Sequence, residues 1–354
     1  MLFGVLLGWM NPPKVCDEDY INFLLASQGR FTCTEAARSQ PEERLRRPSH
    51  DAFTRLLVRT PQDTGALWME AETIVSRQSG VLVLDDTTLD KPYSKRIPLV
   101  TDHWSGKHHR VVRGINLITL LWTDGAKLVP TDYRIYDKPF GGKTKNEHFR
   151  DMLYAAAEER GFNPDYAVFD SWYTGLDNLK QLRGMNWRWF TRLKENRLVT
   201  TTTTTIIVVD TDGSAGFKAV SGIEIPRQGR VVQLKGYGPI KVFRTVRDSD
   251  GMVQYWATDD LEMDAEKRDE LESMGWGIEV YHRGIKQCCG IEKAQTRTER
   301  SQRAHVLLSL RAFLRLEANR LAKAVSWYEA KFSIIRAAIS TFLAHPTIGL
   351  QPTA

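Results

Sequence analysis

Two short apolar runs that each leave onto aspartate, "VLVLDD" at residues 81–86 and "YAVFD" at residues 166–170, constrain this chain more than any other feature. Four consecutive aliphatic or aromatic residues bounded by turn-forming sequence make a buried strand. Carboxylates at the exit of such a strand turn the chain, cap a helix or meet a ligand at the sheet edge. The β-rich pieces "VVRGINLITLLWTDG" and "KLVPTDYRIYD" lie between the two runs, followed by a helix, "NEHFRDMLYAAAEERG", that Gly161 closes. A second helix, "GLDNLKQLRG", leads into the strand "WRWFTRLKENR". Strands first, then strand–helix–strand, predict an α/β fold: a mixed sheet with helices packed on it.

The flanks differ in texture. Residues 1–77 show helical spacing in "DEDYINFLLASQ" and "HDAFTRLLVRT", joined by a basic stretch with Arg44, Arg46 and Arg47 ahead of a Ser49–His50–Asp51 capping signal. That joint is either a solvated loop between packing helices or part of a helix-turn-helix-like DNA-binding unit. In the second case Arg55 and Arg59, one turn apart, face the nucleic acid. Residues 198–260 are nearly pure β with tight turns and a threonine run, a β insertion within the mixed domain. From residue 261 the chain is helical. The expected division is a helical N-terminal DNA-binding region (1–77), a catalytic core in two parts (78–197 and 261–300) around the insertion (198–260), and a helical C-terminal region (301–354).

A net charge of +6 tilts the surface towards polyanions without deciding the matter. The four cysteines, Cys16, Cys33, Cys288 and Cys289, form no CxxC pair, so neither a zinc site nor a disulfide framework is indicated and a reducing, cytoplasmic location is expected. The apolar opening "MLFGVLLGWM" is too short to span a bilayer, and no membrane partner is expected.

Asp86 and Asp170 end separate strands, and Glu279 stands on a later helix, "GWGIEVYHRGIKQ". Strand ends and a helix laid across the sheet can bring three carboxylates into one cleft, where they repel one another unless cations sit between them. Mg2+, with Mn2+ as a substitute, suits oxygen ligands of this kind, and two such ions about 4 Å apart can activate water in phosphodiester cleavage. Glu279, Arg283 and Lys286 follow i, i+4, i+7 spacing on one helix face, a ligand with two phosphate-gripping cations, or else an exposed helix with an ordinary ion pair. Asp85 is expected to face the opposite side from Asp86, because successive strand residues alternate. Asp90, Lys91 and Arg96 follow in a loop that can touch DNA. Lys107, His108 and His109 mark a hairpin turn, and the pairs Trp187/Trp189 and Tyr255/Trp256 suit a core. A haloacid dehalogenase-type phosphatase would need a second carboxyl two residues after the first; Thr87 and Thr88 stand there instead.

"LDDTT", "VFDSWY" and "GWGIEVYHRGIKQCCGIEKAQTR", in that order with the β-rich stretch between the last two, resemble the DDE transposases of bacterial insertion sequences, in particular the family numbered 701 within the wider group numbered four. The resemblance spans about residues 45–320 and includes "WFTRLKENR", with Arg192 and Lys194 as DNA contacts. It implies an RNase H-like mixed sheet interrupted by a β insertion, and an endonuclease and strand transferase that cuts and joins transposon ends. It implies Asp86, Asp170 and Glu279 as catalytic metal ligands, Arg283 and Lys286 as the basic positions after the Glu, and Trp256 as an aromatic of the insertion that can hold a flipped base. Double-stranded DNA at transposon ends and target, and a homodimer in the synaptic complex, are the implied partners. The Tyr and Arg that the group carries before the Glu fall on Glu272 and Gly275. A transposase-derived DNA-binding protein without activity is the alternative, and Glu292, in "GIEKAQTR", is the rival third carboxylate.

Overall fold

A computed structural model gives the fold and describes residues 12–45, 47–105, 110–137, 141–201, 216–247 and 250–348. Arg46, the Lys107–His108–His109 turn, most of the threonine run and the apolar opening lie outside the described residues.

The chain divides into two compact units. The larger, residues 64–93 and 99–284, is built on one sheet. β1 (Val81–Asp90) pairs antiparallel with β3 (Arg110–Thr123), which carries β2 (Thr101–Ser105) and β4 (Val129–Tyr136) on its other edge. On its opposite side β1 pairs parallel with β5 (Tyr166–Phe169), and β5 pairs parallel with β6 (Trp189–Leu193). The order β4–β3–β1–β5–β6, three antiparallel strands followed by two parallel ones, is RNase H-like.

The insertion continues the same sheet. β11 (Val253–Thr258) pairs with β6, and β10 (Gly238–Val246), β9 (Arg230–Leu234), β7 (Leu198–Thr200) and β8 (Lys218–Ala219) follow outward.

Side-chain alternation decides what each face of this sheet meets. Leu82, Leu84, Ala167 and Phe169 share one face, on which α5 (Lys145–Tyr154) packs. Phe149 of α5 meets Phe169 edge-on at 5.1 Å and stacks on Tyr173 at 5.3 Å, pairs worth about 0.5–1.5 kcal/mol each beyond their buried area. After Tyr154 the helix widens into a π turn, Ala155–Glu159, and Gly161 ends it at φ +68°, a left-handed conformation that suits glycine. Val83 and Val168 share the other face, where α7 (Ala265–Cys288) lies. Its Gly275 comes so close that a Cβ there would stand 3.0 Å from Val168 Cγ1. α4 (Gly65–Ala71) precedes β1, and α6 (Leu176–Gly184) connects β5 to β6 and buries Leu179 and Leu182.

The smaller unit, residues 1–63, 94–98 and 285–354, is helical in its described long elements. α1 (Asp17–Ala26), α3 (His50–Arg59) and α9 (Trp327–Ala344) pack on α8 (Glu299–Lys323), so the N- and C-terminal helices share one core. Within that core the Tyr20 hydroxyl lies 3.1 Å from His305 Nδ1, and Arg311 pairs with Asp17. α2 (Cys33–Arg38) packs on α3, and its N-cap Thr32 accepts from the Glu35 N–H. Among the described residues no helix is long and apolar enough to cross a membrane.

Candidate active site

β1 does not end at its aspartates. It runs on through Asp90 against β3, while its parallel pairing with β5 stops at Leu84 opposite Phe169. Asp85 and Asp170 are therefore the first residues past the last paired rung of two parallel strands, and they fall on the same face. Asp86 falls on the other. The expected orientation of the two neighbours is reversed: Asp85, not Asp86, turns towards Asp170.

The cleft on that face, about 1070 Å3, is lined by Asp85, Asp170 and Glu279 together. β1 supplies the first, the exit of β5 the second and α7 the third. Burial, followed by the negative charges of Asp86, Asp170 and Glu279, raises the Asp85 carboxyl well above the usual carboxylate range. Asp170 is held 3.1 Å from the Arg192 guanidinium, which itself lies 5.9 Å over the Trp256 ring.

Asp86 has a different set of neighbours. Its Oδ2 accepts from Lys145 Nζ at 2.7 Å and from Asn116 Nδ2 at 2.7 Å, and its Oδ1 accepts from the Tyr173 hydroxyl at 2.8 Å. Burial alone would raise this carboxyl, but Lys145 and the hydrogen bonds from Asn116 and Tyr173 pull it below its ordinary value. A carboxylate so supplied with donors is a fastener. Tyr173 lies in the 3-10 turn directly after Asp170 and Lys145 opens α5. Asp86 thus ties both segments to the strand that carries Asp85.

Five arginines, Arg192, Arg227, Arg244, Arg247 and Arg268, line the cleft beside the carboxylates. Arg247 is paired with Asp250 and Arg268 with Asp269. Trp276 of α7 is exposed in the cleft, whereas Trp256 is nearly buried and stacked on Phe190 at 4.9 Å. The Trp256 indole N–H meets no acceptor among the described residues. Trp172, two residues after Asp170, is exposed, with Lys145 at 5.9 Å and Lys194 at 5.5 Å from its ring. Trp187 and Trp189 are core residues.

Glu272 and Gly275 stand where the group's Tyr and Arg are absent. Gly275 lies against Val168, and a Cβ there would stand 3.0 Å from Val168 Cγ1, so that side chain would have to give way to a larger residue. Glu272 lines the cleft, its carboxyl raised by burial. Arg283 is exposed, one turn after Glu279. Lys286 lies 3.3 Å from Glu292, so the rival carboxylate is spent on an ion pair. In the smaller unit, Arg55 is exposed on α3, while Arg59 donates to the Val15 carbonyl. Arg44 is bound to Asp19, Gln40 and the Lys14 carbonyl, and Arg47 to the Gln40 carbonyl. These two joint arginines serve as internal fasteners.

Among the described residues no three Asp, Glu, His or Cys side chains converge closely enough to hold an ion as they are placed. Unneutralised carboxylates repel, and here Asp170 leans on Arg192 instead. The donor set nevertheless fits a hard divalent cation, because the three acids that line the cleft offer oxygen alone.

A family model described as a transposase DDE domain matches residues 76–315, about two thirds of the chain. The chain belongs to that family. The matched span includes Asp85, Asp86, Asp170, Glu279 and the inserted strands. No curated protein matches it. Among solved structures, a cryo-EM structure of a piggyBac transposase synaptic complex with hairpin DNA is similar at TM-score 0.49 and 11% identity, over 94% of this chain and 73% of that one. At that level the likeness carries no functional weight.

Proposed function

We propose that this transposase-family chain is an active DNA transposase that cuts and joins the ends of a bacterial insertion sequence, with Asp85, Asp170 and Glu279 as its catalytic carboxylates. The observation that carries the reading is their common cleft, reached from within β1, from the exit of β5 and from one helix, with an arginine-rich wall beside it. Mg2+, or Mn2+ in its place, would be held by these three and would supply an activated water or 3′-hydroxyl and stabilisation of the leaving oxygen. The chain's own part is to hold the phosphodiester in the cleft. Arg227 and Arg244 offer charge along the wall, Arg283 extends it beyond Glu279, and Lys194 extends it beyond Arg192. Trp276 offers an exposed ring face against which an unpaired base can lie, whereas Trp256, stacked on Phe190, has little ring surface left for one. A cation held by Asp170 would compete with Arg192 for that carboxylate and would leave the guanidinium available to a phosphate.

Double-stranded DNA at transposon ends and at the target is the proposed substrate, recognised in part by Arg55 on α3, and two copies of the chain act together in the synaptic complex. Asp86 is assigned to positioning. The test is a nicking assay on DNA carrying the element's ends, with Mg2+, Mn2+ or chelator. Cleavage that needs the metal and is lost in Asp85→Asn supports the reading. Specific binding to ends without cleavage under any metal would make the chain a DNA-binding relative.

A further inference from the structure

The last described helix, α9, begins well anchored and ends bare. Its Trp327 packs on Phe313 at 4.8 Å and donates to Glu317. One turn on, Lys331 Nζ donates to the carbonyls of Leu24, Leu25, Ser27 and Cys288 at 2.8–3.3 Å. That cluster fixes the first half of the helix. From Arg336 to the end of α9 every residue is exposed. Yet this half is apolar, and the side chains along one face are large.

Tyr328, Phe332, Ile335, Ile339 and Phe342 follow one another at steps of four, three, four and three residues. That alternation keeps a stripe facing a second helix and is the spacing of a two-helix seam. Tyr328, Phe332, Ile339 and Phe342 are each between 42% and 48% exposed, about half of each side chain being left to water. No charge interrupts the stripe. A row of aromatic and β-branched side chains held on an anchored helix costs free energy in water unless something covers it.

The flanking charges select the occupant. Glu329 and Arg336, seven residues apart, each follow a stripe residue and border the seam. In an antiparallel pairing of two such helices, Phe332 of one lies level with Ile335 of the other, and Tyr328 with Ile339. Glu329 of each copy then comes beside Arg336 of its partner, twice by symmetry. A parallel pairing gives neither charge an opposite partner, because the position flanking Arg336 is then Lys331, which is buried on its four carbonyls. Within one chain Arg336 reaches Glu329 at 2.9 Å, with both side chains at least half exposed, so exchanging that pair between copies costs little.

We infer that α9 is a self-association surface, through which two copies of this chain join by antiparallel, two-fold pairing of their α9 stripes. The proposed function calls for two copies at paired ends but does not say what joins them. The inference adds the joining surface and is tested without DNA or metal, so it can fail while the cleavage reading stands, and the reverse.

The experiment is sedimentation of the full chain, free of DNA, over a wide concentration range. A reversible dimer is expected. Phe332→Glu/Ile339→Glu should be monomeric throughout while keeping helical circular dichroism and a cooperative melt. Glu329→Arg should weaken the dimer about tenfold, because two like-charge contacts replace two attractive ones, and Glu329→Arg/Arg336→Glu should restore it. The charge pair keeps the test decisive if the double glutamate variant misfolds. A wild-type chain that stays monomeric at every concentration overturns the inference, whether or not the glutamate variants melt lower, since the stripe would then be covered from within the chain or by another partner. A dimer indifferent to both sets of substitutions overturns it as well, and failure of the charge swap to restore overturns the antiparallel register.

Discussion

Lys145 Nζ lies 2.7 Å from Asp86 Oδ2, on the opposite face of β1 from the Asp85 carboxyl. Both partners are less than a fifth exposed. The adjacent aspartates thus have separate tasks. Asp86 is neutralised, accepts three hydrogen bonds and holds the α5 start and the post-Asp170 turn. Asp85 shares the cleft with Asp170 and Glu279, and burial together with the neighbouring negative charges raises its carboxyl.

The first prediction separates the two. Asp85→Asn should abolish metal-dependent nicking, because it removes an anionic ligand while keeping the shape. Asp86→Asn should lower it by about 10–100-fold, the usual cost of losing an outer partner that orients ligands. Asp86→Asn also strands the Lys145 ammonium, so the melting temperature should fall. Asp86→Asn/Lys145→Met should regain part of that stability, since both charges leave together. Nicking and thermal melts of the four proteins check this. Full activity in Asp85→Asn alongside a dead Asp86→Asn would return the metal site to Asp86.

A second prediction concerns the metal-free protein. Repulsion among Asp85, Asp170 and Glu279 costs stability when no cation is bound, so Asp85→Asn should melt higher than wild type in chelator. Wild type should gain stability on addition of Mg2+ or Mn2+ in proportion to the logarithm of free metal over Kd. Asp85→Asn should gain little. Differential scanning calorimetry over a metal titration reads both effects, and equal metal stabilisation of the two proteins would place the ion elsewhere.

The sheet was legible because its signals are local: apolar runs, turn residues and period-2 alternation fix strands without knowledge of their neighbours. The insertion's texture was equally plain, though not that its strands would extend the same sheet through β11 and β6. Less plain was which of Asp85 and Asp86 shares a face with Asp170. The deciding signal was present: "VLVL" and "YAVF" are equally long, so parallel pairing in register sets the first aspartate after each on one face. Lys145, Asn116 and Tyr173 were not legible, because a hydrogen-bond cluster drawn from β1, β3, α5 and a 3-10 turn leaves no spacing pattern. The basic joint was visible as charge, but burial and partners, which sequence does not give, made Arg44 a fastener.

That joint gives a third prediction. Arg44 holds Asp19 at 2.9 Å. Burial alone would raise the Asp19 carboxyl, but the Arg44 pairing and the Cys16 N–H bring it below its ordinary 3.8. A carboxyl depressed in the folded state contributes stability above its unfolded value and loses it as pH falls through the folded one. Arg44→Ala should therefore cost about 1 kcal/mol near pH 7, a drop of roughly 2–4 °C. The gap from wild type should narrow as pH falls below 3.8 and close only below the depressed folded value, where Asp19 is protonated in both. End-DNA affinity should be unchanged in Arg44→Ala and weaker in Arg55→Ala, with a smaller salt slope. A pH-independent gap would show that Arg44 acts by packing, not by its charge.

The fourth prediction tests the third carboxylate. Glu279 lines the cleft with Asp85 and Asp170, whereas Glu292 is 3.3 Å from Lys286. Glu279→Gln removes a negative charge from a surface that must approach phosphates, so DNA binding should hold or tighten while nicking is lost. Glu292→Gln should retain nicking, because it leaves the cleft untouched. Its cost should be a small loss of stability from the broken pair, under about 1 kcal/mol for partly exposed partners. Lys286→Ala should resemble Glu292→Gln in the melt if the pair is mainly structural. It should also lower DNA affinity and reduce the salt slope by about one unit if Lys286 exchanges Glu292 for a phosphate on binding. Binding isotherms at several salt concentrations, run beside nicking assays, separate these cases. A dead Glu292→Gln and an active Glu279→Gln would move the third ligand out of the cleft and remove the observation on which the site rests.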